Sequence, residues 1–247
     1  MNKKINMLLK ITGILLAAGI ILIMASSCIR FTGTVGSGNV ISEERKVEGF
    51  NRISVSAGIN LFIKQDSSET LKIEAEDNLM PIIITEVKNG RLEIRYKNLS
   101  FGLSATKPVN VYVTAKELNE INASSGANVK AEEIRADNLK INLSSGALGE
   151  IIVQTSQIDA DATSGSVIRI SGKTDKQNVN LSSSGNYNGE DLSSTSAFVN
   201  VSSGSSAKVK VSDSLDVNIS SGAIVQYSGS PKISSDISSG GLLKNID

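Results

Sequence analysis

From residue 40 onward, apolar side chains recur at every second position in short runs. Ile53, Val55, Ile59, Leu61 and Ile63 alternate with polar residues around Ser56-Ala57-Gly58, and Leu71-Lys72-Ile73-Glu74-Ala75 alternates cleanly. A period of two sets one face of a strand on a core and the other in water. Residues 82–87 and 92–96 flank Lys88-Asn89-Gly90, a hairpin or tight-turn signal. Residues 100–107 lack a period and read as a loop. Residues 109–113 alternate again behind Pro108, which stands where a missing N–H does least harm. No long 3.6-residue periodicity occurs, and the Ser, Asn, Gly and Val content disfavours helix. The predicted class is all-β.

From residue 118 a second pattern overlays the first. Ser-Ser-Gly, once as Thr-Ser-Gly, returns seven times, ending at Gly126, Gly146, Gly165, Gly185, Gly204, Gly222 and Gly240. Their numbers differ by 20, 19, 20, 19, 18 and 18. A nearly fixed period of this size predicts a solenoid, each repeat one coil stacked on the last. Three and five places before the glycines stand mostly apolar residues: Ile121 and Ala123, Ile141 and Leu143, Val199 and Val201, Val217 and Ile219. Between them stand Asn122, Asn142, Asp161, Asn200, Asn218 and Asp236. The first set lines the interior, and the second forms a row outside. The coil ending at Gly185 carries one extra Ser, read as a bulge or a longer corner. Each glycine is expected to supply a positive φ at a corner, with the serines bonding neighbouring backbone. Second strands follow at residues 167–170, 207–211 and 224–227. One coil buries only about five or six small side chains at roughly 1.5–3 kcal/mol for each full-sized one. That does not offset about 1–2 kcal/mol of backbone entropy per residue. Stacking is therefore what holds a coil.

The first residues belong to another process. Lys3, Lys4 and Lys10 precede an apolar run at 11–24, then Ala25-Ser26-Ser27 and Cys28. The order is that of a secretory signal peptide, and the run is short for a stable span. Cys28, the one cysteine of the chain, resembles the cysteine of a bacterial lipobox, with Ala25 standing where Leu is commonest. The resemblance implies cleavage before Cys28 and acylation of its thiol, and hence a membrane partner through a lipid anchor. An ordinary secreted protein or an uncleaved anchor is the competing reading. The segments then read as a signal peptide at 1–27, a lipidated tether at 28–39, an N-terminal β region at 40–117 and the repeat solenoid at 118–247. Residues 28–247 carry 22 basic and 25 acidic side chains. With no basic stripe and few aromatics, nucleic acid is excluded as a partner.

Gly36-Ser37-Gly38-Asn39-Val40, Val47-Glu48-Gly49-Phe50 and the run from Ile53 to Gln65, with Gly58-Ile59-Asn60 at its centre, resemble the family called putative auto-transporter adhesin, head GIN domain. Asn78-Leu79 with residues 82–96 is similar to the family's next block, and the Ser-Ser-Gly coils to its C-terminal part. The resemblance covers about residues 36–247; Asp66 stands where family members often place Gly. It implies a right-handed parallel β-helix-like solenoid with 18–20-residue coils, and an envelope protein, commonly of Bacteroidota, with no assigned catalytic residue.

Candidate chemistry is sparse. The chain has no histidine and no tryptophan, so the commonest general base, metal ligand and sugar-stacking ring are missing. Its serines lack an imidazole partner. Asp159 and Asp161 share a strand face, and Asp213 or Asp236 lies on another coil, which keeps a glycosidase-like carboxylate pair as a weaker alternative. Asp159, Asp161 and Asp175 supply oxygen ligands, but no calcium-loop motif accompanies them. No cofactor and no metal are expected. The Asn122, Asn142, Asn200 and Asn218 row is either a polar stripe for a glycan or protein surface or an amide ladder that only stabilises the stack. Tyr187, Phe198 and Tyr227 are core or contact residues. The two raw ends of the solenoid offer pairing surfaces, including to a second copy. The expected function is non-enzymatic, adhesin-like or scaffold-like binding of protein or glycan surfaces. The expected location is the envelope, lipid-anchored to the outer membrane, with periplasmic and surface orientations both open. A structural periplasmic component without external ligand is the alternative.

Overall fold

The computed structural model describes residues 33–97 and 102–247. Cys28 and the signal-peptide segment lie outside the described residues. The strands are β1 (Thr34–Val35), β2 (Val40–Arg45), β3 (Arg52–Ser56), β4 (Asn60–Gln65), β5 (Thr70–Glu76), β6 (Ile83–Lys88), β7 (Arg91–Tyr96), β8 (Leu103–Ser104) and β9 (Asn110–Ala115). They continue as β10 (Glu120–Ser124), β11 (Asn128–Leu143), β12 (Leu148–Ala162), β13 (Val167–Leu181), β14 (Asn186–Val201), β15 (Ser206–Ile219), β16 (Ile224–Ser228), β17 (Lys232–Ile237) and β18 (Leu242–Asn245). A 3-10 turn, Met80–Ile82, interrupts them.

The repeats stack as a parallel β-solenoid. Asn128 stands beside Leu148, Leu148 beside Val167, Val167 beside Asn186, Asn186 beside Ser206, Ser206 beside Ile224 and Ile224 beside Leu242. Coils of unequal length therefore start in line. The difference is absorbed by register shifts along the coils, as at Ala131/Ile134 and Gly189/Ser193, and the corner keeps its register. A bulge adds residues to one strand without disturbing the turn beyond it. Inward residues form continuous columns, such as Ile53, Ile121, Ile141, Ala160, Val179, Val199 and Val217. Every member of that column is buried.

The corner is a two-residue left-handed turn. In the first repeat Ser125 has φ 52° and Gly126 φ 73°, and the Ala127 N–H donates to the Ser124 carbonyl at 3.1 Å. Two successive positive φ values define a type I′ turn. The second turn residue then donates to the next coil: Gly126 N–H to the Ser145 carbonyl, Gly146 to Ser164 and Gly165 to Ser183, each at 3.0–3.1 Å. The serine contribution to this ladder is its backbone carbonyl. Gly126, Gly146, Gly165, Gly204, Gly222 and Gly240 all have φ between 67° and 77°. Gly185 does not belong with them. There the left-handed pair is Ser183 (φ 50°) and Ser184 (φ 63°), and Ser184 donates to the Ser203 carbonyl in the glycine's place. Gly185 stands one residue further on, its N–H donating to the Ser182 carbonyl as Ala127 does to Ser124. The extra serine is therefore neither a bulge nor a longer corner, and Val179-Asn180-Leu181 stays in frame.

The Gly58-Ile59-Asn60 signature is the same device. Ala57 (φ 62°) and Gly58 (φ 71°) form the turn between β3 and β4, and Gly58 N–H donates to the Ser125 carbonyl at 3.0 Å. β3 pairs β10 and β4 pairs β11, both parallel. The N-terminal end is finished differently. β7 lies parallel to β3 and returns to β6 through Asn89 (φ 50°) and Gly90 (φ 74°) as an antiparallel hairpin. On the other wall β9 lies parallel to β4, and β5 and β2 follow antiparallel. Leu79, Met80, Ile83 and Phe50 are buried at this end. At the opposite end β17 is exposed along its whole length, including Ile233 and Ile237, which continue inward columns.

Residues 34–38, part of the segment read as a tether, are pinned to the body. Thr34 and Val35 pair with Leu103 and Ser104. The buried Glu76 carboxylate accepts from the amides of Gly38 (2.7 Å) and Thr106 (2.9 Å) and from the Thr106 hydroxyl. A Cβ on Gly36 would fall 2.0 Å from that carboxylate, so a side chain there would push the clasp apart. Asp77 holds Ser37 and Asn39, and Asn78 Nδ2 donates to the Val35 carbonyl at 2.8 Å. The charge-assisted hydrogen bonds that Glu76 accepts order a segment whose Gly/Ser-rich composition otherwise favours a flexible chain.

Candidate functional site

Two polar features run along the solenoid. The first is the asparagine column. Asn122, Asn142, Asp161, Asn180, Asn200, Asn218 and Asp236 stand side by side in register on consecutive coils. Asn180 joins the four predicted asparagines once the corner at Ser184 is placed. Asn142 Nδ2 donates to Asn122 Oδ1 at 2.6 Å, and Asn180 Nδ2 to Asp161 Oδ1 at 3.1 Å. Asn122 Nδ2 in turn donates to Glu120 at 2.7 Å. At Asn122, Asn142 and Asn180 the amides thus bond within the stack or to a neighbour on their own strand. The pocket over Ser54, Asn122, Asn142 and Asp161 is small, about 280 Å³.

The second feature is a trough of about 1280 Å³ that crosses the coils from Glu117 to Ser212. It lies where each long strand bends, between the arm that leaves one corner and the arm that approaches the next. Register places Arg135, Gln154, Lys173, Ser193 and Lys210 in one column, and Ala136, Thr155, Thr174, Ser194 and Val211 in the column beside it. The floor is braced by hydroxyls. Thr155 donates to Thr174 at 3.1 Å, and Thr174 donates on to the Lys176 carbonyl at 3.1 Å. Below Ser194, Tyr187 OH donates to Gln177 Oε1 at 2.9 Å, Gln177 Nε2 donates to Ser194 Oγ at 2.7 Å, and that hydroxyl donates to the Lys210 carbonyl at 2.8 Å. Burial pushes the Tyr187 phenol up, so it stays a neutral donor.

Sequence reasoning named Asp159 and Asp175, which line the trough, but missed its hydroxyl and amide columns. Thr155, Thr174, Gln154 and Lys173 fall at the bend, where the corner motif sets no frame. Asp159 Oδ1 accepts from Asn178 Nδ2 at 2.6 Å and from Gln157 Nε2 at 3.2 Å, which leaves it engaged. Among the described residues no group of three or more His, Cys, Asp or Glu is placed to hold a metal ion. Also missed was a second amide ladder, Asn128 Nδ2 to Asn60 Oδ1 and Asn60 Nδ2 to Asn110 Oδ1, each 3.0 Å. The shared signal was an Asn two places after the corner glycine, in both Gly58-Ile59-Asn60 and Gly126-Ala127-Asn128. Of the aromatics, Tyr187 is core and Phe198 is exposed on the asparagine side, 37% of its surface free.

Structural comparison finds solved proteins with this fold. A crystal structure described as a putative adhesin from Bacteroides fragilis superposes with a TM-score of 0.80 at 21% identity, over 87% of this chain and 100% of that one. One described as a putative adhesin from Parabacteroides merdae gives 0.75 at 20%, over 87% and 99%. One described as a putative lipid binding protein from Parabacteroides distasonis gives 0.74 at 22%, over 87% and 100%. A search of curated proteins finds no match. The sequence profile of one family matches residues 49–231, from just before β3 to the turn ahead of β17. With its signature motif forming the first of the solenoid corners, the chain belongs to the family described as putative auto-transporter adhesin, head GIN domain.

Proposed function

We propose that this chain is a non-enzymatic lipoprotein of the cell envelope, anchored through acylated Cys28, whose solenoid binds an extended polar polymer along the trough. The observation that carries the reading is the trough itself. Stacked coils repeat at ~4.8 Å, so each coil presents one set of donors and acceptors to a strand laid along the axis. Arg135 and Lys173 with Gln154, Thr155 and Ser193, all lining the trough, suit the hydroxyl and carboxylate groups of a glycan, or the polar surface of another protein. The adhesin names of the family and of two neighbours support binding as the task. Catalysis has no support: the chain lacks an imidazole base, and Asp159 is held by its neighbours.

The purely structural alternative draws its support from the asparagine column, where Asn142 bonds Asn122 and Asn180 bonds Asp161 on the neighbouring coil. We assign that column to the stack and the trough to the ligand. The test is a glycan and matrix-protein array probed with the detergent-solubilised full chain. Gln154→Ala with Lys173→Ala, both at exposed positions, is expected to lower binding at least tenfold with unchanged melting. Asn142→Ser with Asn200→Ser is expected to melt lower and bind as before. Full binding by the trough variant, or no ligand on the array, defeats the reading. Acyl labelling of Cys28→Ser tests the anchor, and protease shaving of intact cells separates surface from periplasmic display.

A further inference from the structure

Among the described residues, three large apolar side chains of one short segment at the N-terminal end stand without cover. Val35 is 53% exposed, Val40 47% and Ile41 40%. Surface apolar residues scattered singly need no explanation, but a cluster does. Val35 and Val40 border the turn that carries Glu76, Asp77 and Asn78, while Ile41, the next residue of β2, faces the opposite side of the strand. The Val35 carbonyl accepts from Asn78, Val40 pairs with Glu76, and Ile41 pairs with Ala75. The bonds to Glu76, Asp77 and Asn78 hold residues 35–39 in place, so these side chains are presented in fixed positions. Among the described residues β2 pairs only with β5, leaving one edge free.

The chain itself names what lies next to this edge. Six steps separate Thr34 from Cys28, at most about 20 Å of extended backbone, and the apolar run at 11–24 lies just beyond. Whether that run is kept or replaced by acyl chains on Cys28, the hydrocarbon phase begins within this reach. β2 continues into Glu43 and Glu44 and carries no basic cluster, so an attraction here is apolar rather than electrostatic.

We propose that the N-terminal end of the solenoid docks directly on the bilayer, with Val35 and Val40 buried among lipid and the Glu76 clasp setting the inclination of the long axis. The proposal rests on the membrane-anchored reading above. It turns the anchor from a loose leash into an oriented mount.

The chain has no tryptophan, which makes a reporter simple to place. Val40→Trp, Val35→Trp and, as the far-end control, Ile233→Trp are introduced singly into the full chain. Each is reconstituted into phosphatidylcholine vesicles with and without brominated phosphatidylcholine. Emission from Trp at 40 and 35 is expected to shift to the blue and to be quenched at least twofold by the brominated lipid, with no change at 233. Glu76→Gln, which loosens the clasp, is expected to reduce quenching at 40. Flotation reports the anchor separately: protein that fails to float defeats the anchored reading and this proposal together. Protein that floats with unquenched Trp at both sites overturns the docking alone. A blue shift without lipid quenching also overturns it, because a protein surface then covers the patch.

Discussion

Ser184 is the one second-position turn residue that is not glycine among the seven Ser-Ser-Gly corners. Its φ of 63° falls in the left-handed region, which costs a residue bearing a Cβ roughly 1–2 kcal/mol. Replacing it with glycine removes that strain, while the extra freedom of glycine in the unfolded chain cancels about 0.5–1 kcal/mol of the gain. The backbone bond from residue 184 to the Ser203 carbonyl is kept in either case. Ser184→Gly is therefore expected to stabilise by about 0.5–1 kcal/mol, or a few degrees in melting temperature for a domain of this size. The reciprocal change Gly165→Ser is expected to destabilise by about the same amount, since a Cβ there meets nothing within 4 Å and only the backbone conformation carries a cost. Gly185→Ala should behave quite differently: its Cβ would fall 2.1 Å from the Ala162 carbonyl oxygen, and the coil must part to admit it. Urea unfolding followed by circular dichroism ranks the three. If Ser184→Gly is neutral or harmful, or Gly185→Ala is milder than Gly165→Ser, the placement of this corner is mistaken.

Other outcomes follow from the same geometry. Gly172→Ala is expected to cost several times more than a corner glycine, because φ is 114° and the new Cβ would lie 2.0 Å from the Val153 carbonyl oxygen; thermal melting checks it. Asn142→Ala removes a 2.6 Å amide bond and is expected to cost about 0.5–1.5 kcal/mol, read from the same urea curves. The Glu76 carboxyl is held below the usual value of 4.5, first by the Thr106 hydroxyl, against desolvation, and then by the amides of Gly38, Thr106 and Lys107. A lowered folded value means its stabilisation is complete above the unfolded value and is lost as pH falls through the folded one. The hydrogen-exchange protection factors of residues 34–39 are expected to hold from neutral pH to below 4.5 and then fall, and Glu76→Gln is expected to flatten that profile.

The sequence showed the solenoid because each coil must solve one steric problem at one place. A left-handed pair at the corner leaves a glycine visible at Gly126 or Gly204 whatever the arms contain. It misled at Gly185 because serine is admitted to the left-handed region at a moderate cost, so the motif reads in two frames, Ser182-Ser183-Ser184 and Ser183-Ser184-Gly185. Val179 and Leu181 carried the right frame. The pinned segment was hidden for another reason: Gly36, Ser37 and Gly38 look flexible by composition, and the carboxylate that orders them, Glu76, stands 38 residues beyond Gly38 in the chain. The Thr155 and Thr174 columns were hidden because the bend has no obligatory residue, only a tolerance for polar ones.

Because extra residues enter along the arms while the corners stay aligned, the protein behaves as a graduated ruler. Whole laps can be gained or lost with no change to the hinge, each altering the height of the column by ~4.8 Å. Lineages carrying different numbers of laps would differ in how far the tip stands from its base.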